Sequence, residues 1–297
     1  MEGINVDQLA HRVLGNMNSD LGKAMGGDCI FINCGMQAPL DDEFRVVVEE
    51  LSSVDEPQKH LILMLETGGG HMETVERLVS VMRKHYEEVS FVIPNYAYSA
   101  GTVLALSGDS IYMDYYSVLG PIDPQYRDNE GKQLLPGAGY LAKFNELVEQ
   151  INDSKESTDA QLAYLVKNFD PARLFHIEQA VNHGISLITD WLPQYKFKDW
   201  NKTKTKKKNV TTTMKTKRAK EIAEVLGDAE KWHSHGRGIP MKELEGESIK
   251  LAIDDFGEDQ SLNQLIRNYH GLCVDYFSNK SGVRCYIHSL HGMRRVF

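Results

Sequence analysis

The chain has 297 residues, 41% of them hydrophobic and 25% charged, with a formal net charge of −9. That length and apolar content can bury a sizeable core, as one large α/β domain with appendages. The acidic balance argues against general nucleic-acid binding, and no run approaches eighteen apolar residues, so no membrane span is expected. Cys29, Cys34, Cys273 and Cys285 show no metal-ligand spacing and read as reduced thiols.

Residues 4–24 read as a helix with Val6, Leu9, Val13 and Met17 as its apolar stripe, within an N-terminal arm over 1–27. No apolar signal-peptide core interrupts Asp7, His11, Arg12, Asp20 and Lys23. A core domain with appended helices is expected over 28–200. It opens with a strand at Cys29–Ile32 and a helix from Leu40 to Leu51, whose apolar face is Phe44, Val47, Val48 and Leu51. The continuous run Leu61–Leu65 predicts a strand buried on both faces, ending at Thr67-Gly68-Gly69-Gly70. Val75, Leu78, Val79 and Met82 then mark a helix, and Val89–Ile93 a second strand that leads into Tyr96-Ala97-Tyr98-Ser99-Ala100-Gly101.

Both the Gly turn and the Ser99 turn therefore fall at the carboxyl ends of neighbouring parallel strands, the edge where open α/β sheets bind ligands. A serine at a strand-to-helix turn exposes its hydroxyl at the positive end of a helix dipole. Backbone N–H groups of Gly68-Gly69-Gly70 and of Ala100 can converge on one oxyanion, with a typical contribution of about 10²–10³ in rate per donor. Read singly, the glycines make a tight turn and Ser99 caps a helix. Their succession on adjacent strands favours acyl transfer.

Helices are expected through Leu141–Ile151, Leu162–Phe169 and, behind the Asp170-Pro171 cap, Leu174–Ile188. Residues 201–213 form a basic low-complexity loop. Nine Lys/Arg and no acids lie in 201–220, leaving the rest of the chain at −18. Without aromatic residues to stack bases, that stretch reads as a solvated loop. A final α+β extension covers 214–297, with helices at Lys215–Leu226 and around Leu262–Tyr269 and a hairpin expected about Asn279–Gly282.

Thr67-Gly68-Gly69, Ser99-Ala100-Gly101, Ile111-Tyr112-Met113 and Leu119-Gly120-Pro121-Ile122-Asp123-Pro124-Gln125 resemble the serine dehydrogenase proteinase family. That family groups with signal peptide peptidase A and the Clp protease proteolytic subunit. The resemblance covers roughly 28–126 and implies a ClpP/crotonase-like ββα-repeat α/β core with a mostly helical C-terminal extension. It further implies Ser99 as nucleophile, Gly69 and Ala100 as oxyanion-hole donors, Gly68 and Gly70 against substrate, and a trimer-based homo-oligomer acting on peptides or unfolded protein. No cofactor or metal is implied. Without the anchor of membrane-bound relatives, a cytoplasmic location is expected.

The place of the Clp subunit's catalytic histidine falls near Gly120-Pro121, which excludes a triad of that arrangement. Signal-peptide-peptidase relatives use a lysine some forty to fifty residues past the serine, which keeps Lys143 and Lys155 as candidate bases. Trp232-His233-Ser234-His235 is similar to a Trp-Thr-His motif of the family, and an imidazole needs no burial to act near neutrality. Lys143 is ranked first, His235 next and Lys155 behind, with His233 also open. The expectation is a soluble serine peptidase with a Ser-Lys dyad. The alternatives are a crotonase-type acyl-CoA hydratase or hydrolase, or a non-catalytic assembly protein on the same fold.

Overall fold

The computed structural model describes residues 5–127, 132–153, 159–203 and 207–297, in which helices and parallel strands alternate along the N-terminal half. Helix α1 (Val6–Met25) starts at a reciprocal Asn5–Gln8 capping box and stops at Gly26, left-handed at φ 76°. The expected stripe is not its buried face. Val6 is 79% exposed, and the helix buries Leu14, Asn18 and Leu21 instead. Asn18 sits mid-face because its amide donates to the Cys29 carbonyl and the Tyr269 hydroxyl, both at 2.9 Å. A satisfied polar residue there disguises the face from any reading of apolar spacing.

Strand β1 (Asp28–Asn33), α2 (Leu40–Ser52), β2 (His60–Glu66), α3 (Met72–His85) and β3 (Glu88–Val92) follow the sequence pattern to within a residue or two, α3 apart, whose start the sequence left open. Every apolar position expected on α2 and α3 is buried. The two loops that matter come next, around β4 (Tyr96–Ala97) and α4 (Ala100–Ala105), then β5 (Ser110–Met113), β6 (Val118–Leu119), β7 (Gln125–Arg127) and β8 (Leu134–Pro136). Helices α5 (Gly137–Asp153), α6 (Asp159–Asn168) and α7 (Pro171–Gln194) follow, the last capped by Asp170, whose carboxylate accepts from the Ala172 N–H at 2.9 Å. The rest is α8 (Thr212–Leu226), α9 (Ala229–Trp232), β9 (Ile239–Pro240), α10 (Met241–Glu245), β10 (Asp254–Asp255), α11 (Gln260–Cys273), a π-helical turn at Val274–Lys280, and β11 (Tyr286–Ser289) with β12 (Gly292–Arg295).

The main sheet has the order β10-β5-β3-β2-β1-β11-β12, parallel from β10 to β1 and antiparallel beyond. One face packs α2, α3, α4, α7 and α8 into a single core, and the other packs α1 and α11. Both faces are covered, which is why Leu61–Leu65 is an unbroken apolar run. The C-terminal hairpin turns between β11 and β12 at Leu290–His291, not at Asn279–Gly282, because α11 continues into the π-helical turn. Helices α5 and α6 are only partly covered: the apolar residues of α5 are half-buried, Gly137 alone of α5 is buried, and no residue of α6 is. Among the described residues no helix is long and apolar enough to cross a membrane.

A second, three-stranded sheet, β4-β6-β9, carries the loops of interest. It is joined to the end of β2 by a bridge between Thr67 and Ala97.

Candidate active site

Ser99 sits at the junction of β4 and α4 with φ 54° and ψ −119°. Non-glycine residues at such φ cost about 1–3 kcal/mol and persist only where the surroundings enforce them. Its side chain makes no capping hydrogen bond to α4, so the reading of Ser99 as a plain helix cap fails. The strained strand-to-helix turn instead presents the hydroxyl outward, as a nucleophile elbow does.

Gly69 lies directly against this turn. A Cβ added to it would sit 2.8 Å from both the Ser99 Cβ and the Tyr98 carbonyl oxygen, and 3.3 Å from the Ala100 nitrogen. With φ 99°, this position tolerates only glycine at no cost. The turn is braced from behind by Met36, whose N–H donates to the Gly69 carbonyl at 2.8 Å and whose carbonyl accepts from His71 N–H at 2.7 Å. Gly68 and Gly70 are exposed beside it. Ala100 opens α4, so its N–H has no partner within the helix. The Gly69 N–H is already used, donating to the Thr67 hydroxyl at 3.1 Å.

The three-stranded sheet brings two more groups to the same edge. Ser99 is two residues beyond the end of β4; Asp123 is four beyond β6, its parallel neighbour; His235 is four before β9, which runs antiparallel to β6. The strand directions place all three off one end of the sheet. Gly120 allows the close contact between the strands, since a Cβ there would lie 2.4 Å from the Tyr98 ring. The Thr102 hydroxyl of α4 fastens them further, lying 2.8 Å from the Ala97 carbonyl and accepting from Gly120 N–H at 2.9 Å.

At that edge His235 Nδ1 meets Asp123 Oδ1 at 2.9 Å, with 15% of the imidazole and 2% of the carboxylate exposed. The second carboxylate oxygen is buried without a partner, and among the described residues the imidazole is the only side chain hydrogen-bonded to Asp123. The sequence singles out His235 but gives Asp123 no role of its own. Since 112 residues separate the pair, no local signal could have joined them.

The other candidate bases lie elsewhere. Lys143 projects from α5 with 59% of its side chain exposed and pairs with Glu146 at 2.8 Å, one helical turn along. His233 is exposed at φ 61°. Lys155 is outside the described residues. A second imidazole–carboxylate pair, His270 Nε2 and Glu66 Oε2 at 2.6 Å, joins α11 to the end of β2. Tyr96 and Tyr98 stack at 5.3 Å between centroids, and burial, then the Glu66 charge, raises the Tyr96 phenol above its ordinary pKa. No group of three or more His, Cys, Asp or Glu side chains converges as a metal site among the described residues.

The chain is similar to known proteins over parts of its length. Residues 41–146 match the family model described as ClpP-like SDH-type serine proteinase, a stretch that holds the Gly turn, Ser99, Asp123 and Lys143 but not His235. Thr67–Gly69, Ser99–Gly101 and Leu119–Gln125, which carry the resemblance read from the sequence, all lie within the matched stretch. Two proteins of Methanocaldococcus jannaschii described as uncharacterized are similar: MJ0137, 39% identical over 67 residues, and MJ1495, 32% identical over 91. These alignments span 23% and 31% of this chain, and 23% and 29% of the relatives, so the chain matches less than a third of their length. Among solved structures, a mutant of the 1510-N membrane-bound stomatin-specific protease aligns over 76% of both chains at 13% identity and TM-score 0.44. The ClpP protease catalytic domain from Plasmodium falciparum aligns over 40% of this chain and 63% of its own at 9% identity and TM-score 0.30.

Proposed function

We propose that the protein is a serine peptidase in which Ser99 is the nucleophile, His235 the general base and Asp123 the group that orients His235. The observation that carries this reading is the arrival of all three off one edge of the β4-β6-β9 sheet, with the His235 Nδ1–Asp123 bond already made. A carboxylate on Nδ1 fixes the tautomer that leaves the Nε2 lone pair free to accept the serine proton. Ser99 Oγ then bonds to the scissile carbonyl carbon as its proton passes to Nε2. The oxyanion takes the Ala100 N–H, and the Gly69 N–H joins by exchanging its Thr67 hydroxyl for the stronger charged acceptor. The imidazolium returns the proton to the leaving amine, and water reverses the sequence to free the acid. The chemistry is that of a Ser-His-Asp triad, although the histidine comes from the C-terminal half of the chain.

A Ser-Lys dyad through Lys143 draws less support. A lysine serves as base only when burial lowers its pKa, and Lys143 is exposed and held by Glu146. The Ser99 turn also separates this reading from a crotonase-type hydratase, which needs no nucleophile at that position. Its substrate on this reading is a peptide or unfolded polypeptide, laid along the exposed edge at Gly68 and Gly70.

The partly covered helices α5 and α6 are the surface through which copies of the chain would associate, as a trimer or a multiple of it. Leu162, Tyr164 and Val166 stand exposed on α6. Light scattering of the full chain should then give an assembly, and a strict monomer at every concentration would remove this part. The catalytic reading is tested by a fluorophosphonate probe. It should label Ser99 alone, and Ser99→Ala should abolish both labelling and peptide hydrolysis, a loss of about 10⁶ in kcat, while the fold is kept. Full hydrolysis by the Ala variant would overturn it.

A further inference from the structure

Cys34 and Cys285 lie at the free end of the junction between β1 and β11. The antiparallel register pairs Phe31 with His288, Ile32 with Ile287 and Asn33 with Tyr286, so the next step sets Cys34 opposite Cys285. Directly opposed residues in an antiparallel pair have Cα atoms about 4.5 or 5.5 Å apart, and both separations suit a disulfide. The two side chains are close enough for Cys285 to add to burial in raising the Cys34 thiol's pKa. Cys34 is buried, whereas Cys285 is partly exposed. The other two cysteines, Cys29 and Cys273, are sealed in the core under α1 and α11.

We propose that Cys34 and Cys285 form a redox-active pair that hydrogen peroxide converts to an intramolecular disulfide. Peroxide reaches the partly exposed Cys285 first. Its thiolate attacks one peroxide oxygen, the O–O bond breaks, and water leaves behind a sulfenic acid. The Cys34 sulfur then attacks the Cys285 sulfur, the S–O bond breaks, and a second water departs. Two thiols are oxidised by two electrons in all, and one peroxide is reduced to two waters. Burial, reinforced by Cys285, raises the Cys34 thiol above its ordinary pKa and keeps it protonated. It therefore acts as the resolving partner rather than the first target.

The bond would add a covalent link between two strands now joined by backbone pairing and side-chain packing. The Cys285 carbonyl accepts from Val296 N–H at 3.0 Å at the C-terminal edge. Met36, two residues beyond Cys34, brackets the Gly69–His71 turn. Oxidation thus fastens the C-terminal hairpin to the segment behind the glycine turn. The inference rests on the register and the closeness of the two side chains, and it stands or falls independently of peptidase activity.

The test is to expose the full chain to hydrogen peroxide, unfold it, alkylate the free thiols and map the peptides by mass spectrometry. The expected product is a peptide containing Cys34 linked to one containing Cys285, released by dithiothreitol, on a chain that runs as a monomer without reductant. Cys29 and Cys273 should carry the alkyl label, and Cys285→Ser should abolish the link. Should that variant fold poorly, the map of the wild-type protein decides alone. Sulfinic acid at Cys285 without a cross-link, links only between chains, or four alkylated cysteines after treatment would each overturn the proposal.

Discussion

His235 meets Asp123 at 2.9 Å and His270 meets Glu66 at 2.6 Å, with 15% and 14% of the imidazole side chains exposed. As isolated pairs they would be hard to tell apart. Their surroundings differ. Asp123 spends itself on one imidazole, with its other oxygen buried and unpartnered. Glu66 is shared, its second oxygen lying 3.4 Å from the Asn33 amide, which also approaches Tyr286. The first pair hangs off the sheet edge that carries Ser99, and the second ties α11 to β2 on the opposite side of the main sheet. A hydrogen-bonded imidazole thus becomes a candidate base only through the strand that brings it to the same sheet edge as a candidate nucleophile.

The comparison can be pressed first at the turn that shapes the site. Gly69→Ala should lower kcat by about 10²–10³, since its Cβ would force the turn away from Ser99 and displace an oxyanion donor. Near-normal turnover on a peptide substrate would show that the close packing of Gly69 on Ser99 is incidental.

A third imidazole sharpens the contrast. His288 is fully buried, with Nδ1 2.6 Å from the Tyr269 hydroxyl and, among the described residues, no partner for Nε2. Burial, aided by His11, lowers its pKa from 6.5 to about 4. The unfolded chain therefore binds this proton at a higher pH than the folded one. Stability rises with pH through that window and is lost as pH falls from about 6.5 towards 4, by something of the order of 3 kcal/mol. Urea unfolding at several pH values should give this slope, and His288→Leu should flatten it.

The smallest effect is expected at the tethering pair. His270→Gln should cost about 1–2 kcal/mol of stability and leave peptide turnover within roughly tenfold of wild type, equivalent to no more than about 1.4 kcal/mol. If turnover fell as far as it does for a triad residue, the two pairs would have exchanged roles.

Much of this arrangement was legible in the sequence. The run Leu61–Leu65, the stripes of α2 and α3, and the Gly and Ser turns all follow from local periodicity and turn chemistry, which depend on neighbours in the chain. The misses share one cause, dependence on distant partners. The buried face of α1 turns on Asn18, a polar residue satisfied by Tyr269, 251 positions away. The C-terminal hairpin was displaced because Asn279–Gly282 has the composition of a turn, while packing carries the chain on from α11 through a π-helical turn. Lys143 is a different case: its separation from Ser99 along the chain makes it a candidate base, and α5 leaves its side chain 59% exposed. Asp123 was invisible as a partner for His235, since only the pairing of β6 with β9 brings them together.

The assignment of the base is the central claim, and the rate at which a fluorophosphonate acylates Ser99 tests it most directly. Asp123→Asn keeps the size of the side chain but removes the carboxylate that selects the His235 tautomer, and it should slow labelling by about 10⁴. Lys143→Arg, which a lysine base would not survive, should be labelled at the wild-type rate. A Lys143→Arg variant that is not labelled, beside an Asp123→Asn labelled as fast as wild type, would contradict the account.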